Sequence, residues 1–203
     1  MRTLVLVRHA HARTNADDTV SSTPPGTGLT EQGVGEALAL REALAETELD
    51  LGVATRLART QETLEVALGE RDVARIVLAG LDEIGFGAFE GGPLDAYRAW
   101  AWSHAPDAPC PGGGESRADA AVRYADALDQ LLARPEDVVL AVSHSLAVRY
   151  VLDAADGTFP AARVSPVGHA EPQALAAAAV ERAAETLRAW AQAPVFVDTP
   201  ERG

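Results

Sequence analysis

Short apolar runs alternate with amphipathic helical patterns along this chain, and this alternation decides which folds are open to it. The apolar runs are rich in β-branched residues and predict buried strands at residues 3–7, 49–53, 75–79 and 137–142. Apolar residues spaced three and four apart predict helices at 31–45, 59–68, 118–132 and 146–155. Strands that alternate with helices form parallel crossovers, with helices on both faces of the sheet. We therefore expect a three-layer α/β/α sandwich with a largely parallel central sheet.

The rest of the chain is expected to complete this sandwich. With 203 residues, of which 47% are apolar, the chain is long enough for one core and one domain spanning 1–203. An alanine-rich segment at 172–190 has its larger apolar residues on one side, which predicts a helix packed on the core. Residues 153–203 thus add a C-terminal strand and helix. Three loops rich in glycine and proline are candidates for the rim of a pocket, at 17–28, 85–92 and 104–114.

The charged and cysteine residues exclude several kinds of chemistry. All 17 basic residues are arginine, so a P-loop lysine and a Schiff-base lysine are both excluded. Cys110 is the single cysteine, which excludes an intramolecular disulfide and cysteine-based zinc sites, and it is expected to be a loop thiol. A net charge of −13 argues against nucleic acid or a membrane as a partner, because both bind basic surfaces. An anionic substrate must then meet a locally positive pocket.

The sequence also predicts a cytoplasmic location. No stretch contains the roughly 20 apolar residues that cross a bilayer. The first apolar run leads directly into Arg8 and His9 without the cleavage site of a signal peptide. A lone cysteine fits a reducing compartment.

Uncommon polar residues follow the predicted strands where each strand ends. They are Arg8 and His9 after the first strand, Arg59 after the second, Glu83 after the third and His144 after the fourth. Because the carboxyl ends of parallel strands meet at one edge of a sheet, we expect these side chains to converge on one crevice. Guanidinium groups bind phosphate oxygens through paired hydrogen bonds, and a neutral histidine attacks phosphorus to form a phosphohistidine. A protonated carboxyl then supplies the proton that the leaving alkoxide needs, so the pattern favours phosphoryl transfer.

A series of short motifs strengthens this interpretation. In chain order they are Leu6-Val7-Arg8-His9-Ala10 with Asn15, Leu29-Thr30-Glu31-Gln32-Gly33, Arg59 with Thr63, Leu81-Asp82-Glu83 followed by Phe86-Gly87-Ala88-Phe89-Glu90-Gly91, Gly113-Gly114-Glu115-Ser116, and Val142-Ser143-His144. Over residues 3–152 this series resembles the histidine phosphatase superfamily, also called the phosphoglycerate mutase-like family. The specificity lies in the whole series, because an Arg-His pair alone means little.

The resemblance implies a role for each matched residue. It implies that His9 is the phosphorylated nucleophile and that Glu83 is the proton donor and later the base. The phosphate and substrate pocket is implied to consist of Arg8, Asn15, Arg59 and His144, and we expect Ser145, which stands where the family has a glycine, to line it as well. No metal ion or other cofactor is implied.

The chain departs from the family's pattern near both histidines. The departures are Ala10, His11, Ala12, the pair Ala54-Thr55, and Ser145. None removes a catalytic group, so they bear on pocket shape and substrate choice more than on the reaction class. His11 is either a second pocket residue or a loop histidine.

Other reactive side chains have a weaker claim to the site. Arg13 and Arg56 are expected to be surface charges, and contact of either with the substrate is the alternative. His104 and His169 are expected to be loop residues without a catalytic task.

Three other functions stay open from the residues. His9-Ala10-His11 resembles the paired ligands of a metal-dependent hydrolase, although Arg8 and Arg59 would repel a cation. A phosphoglycerate-type phosphomutase would return the phosphoryl group to a bound product. A non-catalytic protein would use the same pocket to sense phosphorylated ligands.

The favoured function is hydrolysis of a small phosphate ester. The chain passes from Gly91 to Glu115 in few residues, whereas mutases of the resembled family have extra segments that enclose the substrate. A phosphoprotein is the alternative substrate. The sequence predicts no oligomeric state.

Overall fold

The strands and helices alternate along most of the chain in the computed structural model, which describes residues 1–197. The strands are β1 (Thr3–Arg8), β2 (Leu51–Ala54), β3 (Ala74–Val77), β4 (Val138–Ser143) and β5 (Gln173–Ala176). The α-helices are α1 (Arg13–Ala16), α2 (Glu31–Ala43), α3 (Ala58–Leu68), α4 (Leu94–Ser103), α5 (Arg117–Leu132), α6 (Ser145–Ala155) and α7 (Ala177–Gln192). Residues 198–203, the end of the predicted C-terminal segment, lie outside the described residues. Across residues 1–197, no helix has both the length and the apolar character to cross a bilayer.

A largely parallel sheet forms the centre of the fold, as predicted. Within residues 1–197 its strands follow the order β3-β2-β4-β1-β5. β2 pairs with β3 and β4 in parallel, and β4 pairs with β1 in parallel. β5 runs antiparallel to β1 at the edge. The carboxyl ends of the four parallel strands therefore meet at one edge of the sheet.

Alternate residues of the central strands face two separate apolar layers. Leu4 and Leu6 of β1 pack in a cluster with residues of α5, α6 and α7. Val5 and Val7 of the same strand pack in a second cluster with residues of α2 and α3. Full burial of each such side chain contributes roughly 1.5–3 kcal/mol. The predicted three-layer α/β/α sandwich is confirmed.

Helix α2 begins against the backbone that follows β1. The Thr30 hydroxyl caps the helix by accepting a hydrogen bond from the Gly33 amide at 3.1 Å. The Thr30 amide donates to the carbonyl oxygen of His11 at 3.0 Å. A Cβ at position 33 would collide with that carbonyl oxygen. Glycine at this position thus lets the helix approach the chain two residues beyond His9.

Helix α5 begins at the predicted cap. Ser116 Oγ accepts a hydrogen bond from the Asp119 amide at 3.0 Å, which satisfies a donor in the first turn of the helix. Arg117 is consequently the first residue of α5, and its side chain is buried.

The structure departs from the sequence-based expectations at several elements, among them the short helix α1, which was not predicted. β3 is mostly exposed rather than buried, because it is the outer strand of the sheet. The helix predicted at 172–190 begins only at Ala177, since residues Gln173–Ala176 pair with β1 as the C-terminal strand. Helix α4 has no counterpart in the prediction, because its tyrosine and two tryptophans have only moderate helix propensity.

Candidate active site

Parallel pairing of β1 with β4 sets two histidines side by side. Arg8 lies opposite Ser143 in the register, and the His9 amide donates to the Ser143 carbonyl oxygen at 2.9 Å. His144 follows Ser143 as the N-cap residue of α6. The centroids of the His9 and His144 rings are 5.4 Å apart, in an edge-to-face arrangement.

Arg59 connects the two histidines from the first turn of α3. Its Nε donates to His9 Nε2 at 3.2 Å, and its Nη2 lies 3.2 Å from His144 Nδ1. The same Nη2 donates to the carbonyl oxygen of Ser21 at 2.9 Å. The structure therefore brings together these three of the residues proposed from sequence.

The surroundings of His9 keep its imidazole neutral. His9 Nδ1 lies 2.8 Å from the Ala10 carbonyl oxygen, and because a carbonyl only accepts, Nδ1 carries the proton. Burial, followed by the charge of Arg59, lowers the pKa of His9 well below its usual range. The Nε2 lone pair is therefore unprotonated at neutral pH, which is the state in which histidine acts as a nucleophile.

His144 is fully buried behind His9. Its Nε2 lies 3.0 Å from Thr55 Oγ1, which lies 2.8 Å from Thr60 Oγ1. Because Arg59 donates to Nδ1, the ring proton is on Nε2 and is donated to Thr55. Burial and the nearby Arg59 charge lower the pKa of His144 well below its usual range. Thr55, one of the departures from the family's pattern, thus fixes the orientation of this ring.

Glu83 reaches the histidines from the loop that follows β3. Its Oε2 is 3.8 Å from His144 Nδ1, and its Oε1 accepts a hydrogen bond from the Ile84 amide at 3.1 Å. Burial raises the pKa of Glu83 above its ordinary value, although the charge of Arg59 acts in the opposite direction. A carboxyl with a raised pKa retains its proton at higher pH, as a general acid requires.

Two buried guanidinium donors of the site have no protein partner within the described part of the chain. They are Arg8 Nε and Arg59 Nη1. Arg8 is held in place through its Nη1, which donates to the Val167 carbonyl oxygen at 2.6 Å. A buried donor without an acceptor is costly, so a ligand that supplies acceptor oxygens is favoured. Beside the neutral His9, these donors suit a tetrahedral oxyanion.

These groups surround a cavity of about 170 Å³. The residues proposed from sequence that line it are Arg8, His9, Asn15, Arg59, Glu83 and Ser145, whereas His144 lies behind its wall. Asn15 Oδ1 accepts a hydrogen bond from the Ala12 amide at 2.9 Å, which fixes the orientation of its amide group. The rest of the lining combines apolar and aromatic side chains with two more arginines, Arg98 and Arg117, which the sequence did not single out.

A second pair of histidines lies next to His9. His11 Nδ1 is 2.9 Å from Thr30 Oγ1. The His169 ring centroid is 5.4 Å from that of His11 and 5.9 Å from that of His9. Burial, followed by the charge of Arg8, lowers the pKa of His169 to about 4. His169 lies in a loop as predicted, but its position beside His9 carries no signal in the sequence, since no motif surrounds it.

The remaining reactive residues are placed away from the cavity. Arg13 does not line it, and Arg56 pairs with Asp82 at 2.6 Å. His104 is exposed at the end of α4. Cys110 lies in a loop as predicted, but its side chain is buried.

The paired histidines of the metal-hydrolase alternative have different partners. His9 Nε2 faces Arg59, and His11 Nδ1 faces Thr30. A cation bound to His9 Nε2 would lie against a guanidinium group. Over residues 1–197, no group of three or more His, Cys, Asp or Glu side chains is placed to hold a metal ion.

Inorganic phosphate or vanadate is expected to raise the Tm of the protein, because either anion supplies acceptors for Arg8 Nε and Arg59 Nη1. At about 100 times its Kd the anion stabilises the folded state by roughly 2.7 kcal/mol. For a chain of this size, this corresponds to roughly 5–10 °C. Thermal unfolding followed by circular dichroism measures the shift. Chloride at equal ionic strength and the Arg59→Met variant are the controls, and an equal shift in either would contradict a specific anion site.

The chain matches a family model and a curated relative. The model of the histidine phosphatase superfamily (branch 1) matches residues 4–193. The adenosylcobalamin/alpha-ribazole phosphatase of Salmonella typhimurium is 32% identical over 112 residues, which are 50% of this chain and 55% of that protein. The chain thus spans about half the length of the curated relatives it matches.

Solved structures share the fold over most of the chain. The alpha-ribazole phosphatase from Shigella flexneri superposes with a TM-score of 0.72 at 24% identity, covering 85% of this chain and 89% of that one. YhfR of Bacillus stearothermophilus superposes with a TM-score of 0.75 at 25% identity, covering 85% of this chain and 89% of that one.

Proposed function

The chain belongs to the histidine phosphatase superfamily, and from this membership we propose that it is a phosphomonoesterase that acts through a phosphohistidine at His9. Its substrate is a small phosphate ester, and no metal ion takes part. The observation that carries the proposal is the pair of unpartnered donors, Arg8 Nε and Arg59 Nη1, beside the unprotonated Nε2 of His9. The name of the Salmonella typhimurium relative, a phosphatase, supports the same reaction class.

Binding of the phosphoryl group prepares His9 for attack. Arg59 Nε donates to His9 Nε2, so this hydrogen bond occupies the nucleophilic lone pair. Phosphoryl oxygens are stronger acceptors for a guanidinium than an imidazole nitrogen is. When they take over the donors of Arg59, the Nε2 lone pair becomes free to face phosphorus.

The first chemical step transfers the phosphoryl group to the protein. His9 Nε2 forms a bond to phosphorus while the ester P–O bond breaks, and the leaving oxygen takes the proton of Glu83. Arg8 and Arg59 stabilise the charge on the equatorial oxygens. A bound dianion also raises the pKa of His144, because negative charge favours the imidazolium form. Once Arg59 turns its donors to the phosphoryl oxygens, a protonated His144 Nδ1 can donate to the phosphoryl group.

The second step releases phosphate. Glu83, now a carboxylate, takes a proton from water as the water attacks phosphorus and the N–P bond breaks. Glu83 also borders a second crevice, which is lined by Glu115 and Arg123. We infer that water reaches the carboxyl from this crevice while the ester occupies the first cavity, which would favour hydrolysis over transfer back to a bound product. The cytoplasmic location stays a prediction.

A panel of phosphate esters that includes p-nitrophenyl phosphate tests the proposal on the purified protein. We expect turnover to be the same with and without EDTA, because guanidinium groups do the electrostatic work that a metal ion does in other phosphatases. Release of inorganic phosphate is the measurement. Loss of activity in EDTA with recovery in a divalent cation would contradict the proposal and favour a metal site at His9 and His11. Absence of turnover on the whole panel would favour a phospho-ligand sensor.

A further inference from the structure

Arg117 is a buried cation in the wall of the cavity, and the proposed reaction gives it no task. We propose that it binds a second oxyanion, a carboxylate or a further phosphate, on the leaving group of the substrate. This inference rests on the proposed phosphatase function and names the class of its substrate.

The surroundings of Arg117 leave part of its guanidinium without a partner. The side chain is only 7% exposed, and its Nε has no hydrogen-bond partner in the described part of the chain. Its Nη1 donates to the Tyr150 hydroxyl at 3.1 Å. The guanidinium carbon lies 5.9 Å from the ring centroid of Tyr97 and 6.0 Å from that of Tyr150. These contacts hold the guanidinium in one orientation without neutralising it.

No carboxylate within residues 1–197 forms an ion pair with Arg117. Arg123, six residues further along α5, shows the contrast, because its Nη2 pairs with Glu115 at 2.6 Å. An unpaired charge taken out of water is costly, and aromatic rings compensate for it only in part. A ligand anion that reaches the guanidinium from the cavity removes this cost.

The charges in the cavity lining also exceed what one phosphoryl group balances. A phosphoryl dianion balances Arg8 and Arg59, which are the arginines beside His9. Arg98 pairs with Asp95 at 3.3 Å on the surface. Arg117 is left over, in a protein whose net charge of −13 otherwise repels anions. A substrate with a second negative charge completes the balance.

The other side chains of the cavity suit the carbon skeleton that joins the two anions. Phe86, Leu94 and Tyr97 line the same space, and the Phe86 and Tyr97 rings are in edge-to-face contact at 4.7 Å. The cavity, of about 170 Å³, has room for a small phosphate ester.

Matched esters test the inference without any substitution. 3-Carboxypropyl phosphate and butyl phosphate have the same carbon chain and differ in the terminal charge, and butane-1,4-diol bisphosphate carries a second phosphate. We expect kcat/KM of the wild-type protein to favour the charged esters by roughly 10- to 100-fold, the effect of one charge-assisted hydrogen-bonded pair. The better of the two charged esters identifies the second anion as carboxylate or phosphate.

Variants then assign the preference to Arg117. Arg117→Met keeps the apolar stem and is expected to bring the ratio of charged to uncharged ester close to one. Arg117→Lys keeps the charge but loses Nε, so an intermediate ratio is expected. Arg188→Met removes an arginine that pairs with Asp126 and Asp129 outside the cavity, and it should keep the wild-type ratio.

The outcomes separate this inference from the proposed function. Turnover of butyl phosphate equal to that of both charged esters would overturn the second-anion site and leave the phosphatase intact. An unchanged preference in Arg117→Met would do the same. If Arg117→Met does not fold, the test rests on the ratio of kcat/KM for charged and uncharged esters in the wild-type protein and in Arg117→Lys. Failure of the wild-type protein to hydrolyse any ester, p-nitrophenyl phosphate included, would overturn the proposed function and the Arg117 site with it.

Discussion

His9→Ala is expected to abolish both hydrolysis and the covalent intermediate. Within residues 1–197, His9 is the histidine that lines the cavity, whereas His144 is fully buried and its Nε2 is bound to Thr55. His169, whose ring centroid lies 5.9 Å from that of His9, does not line the cavity either, so within the described residues neither imidazole is placed to replace the nucleophile. We expect kcat to fall by roughly 10⁴- to 10⁶-fold, as in enzymes that lose their nucleophile. Steady-state rates on p-nitrophenyl phosphate measure the loss.

Trapping of the intermediate distinguishes a lost nucleophile from a damaged fold. Acid-labile, base-stable phosphate should be found on the wild-type chain during turnover, at residue 9 by peptide mapping, and on none of the His9→Ala chains. His104→Ala is the matched control, because this exposed histidine lies outside the cavity, and it should behave like the wild type. Tm of each variant checks the fold. A His9→Ala chain that still forms the adduct would show that the nucleophile is misassigned.

The meeting of Arg8, His9 and His144 could be predicted because it depends on few physical facts. Apolar β-branched runs that alternate with helices require parallel pairing, and parallel strands end at one edge. The register of β1 with β4 then sets residue 8 against residue 143. A polar residue that directly follows one of these parallel strands therefore lies at the edge of the sheet where their carboxyl ends meet. The series of motifs also showed that these residues follow one another along the chain in the order typical of the resembled family. The roles of the residues stay predictions.

The position of Arg117 could not be predicted, because it depends on packing between distant segments. The sequence places it after the Ser116 cap of α5, which suggests an ordinary charge in a first helical turn. Its burial comes from Tyr97 of α4 and Tyr150 of α6. Helix α4 itself has no clear signal in the sequence. The order of the strands is equally hidden, since an apolar run such as 75–79 does not show whether it lies at the centre or, as here, at the edge.

Glu83→Gln is expected to separate esters by their leaving group. p-Nitrophenolate leaves without a proton, so His9 should still be phosphorylated at a rate near that of the wild type, seen as a burst of p-nitrophenol. An alkoxide needs the proton of Glu83, so the first turnover of butyl phosphate should slow by roughly 10²- to 10⁴-fold. Rapid-quench measurement of the burst keeps this step apart from the later hydrolysis, in which Glu83 is the proposed base. Glu136→Gln is the control, because this carboxylate pairs with Arg134 away from both crevices and should not change the dependence on leaving group.

The pH dependence of His9 phosphorylation is a second, independent test of Glu83 as the proton donor. Burial raises the pKa of Glu83, and a bound dianion raises it further because like charge disfavours the carboxylate. Glu83 can donate its proton only below this raised pKa. The rate at which butyl phosphate phosphorylates His9 should therefore fall as the pH rises through that pKa. This fall should come at a higher pH than the titration of an ordinary glutamic acid. With p-nitrophenyl phosphate the fall should be small, because no proton is required. Glu83→Gln has no group to titrate there, so its slow reaction with butyl phosphate should lack the alkaline fall. An equal fall for both esters in the wild type, or its persistence in Glu83→Gln, would assign the proton to another group.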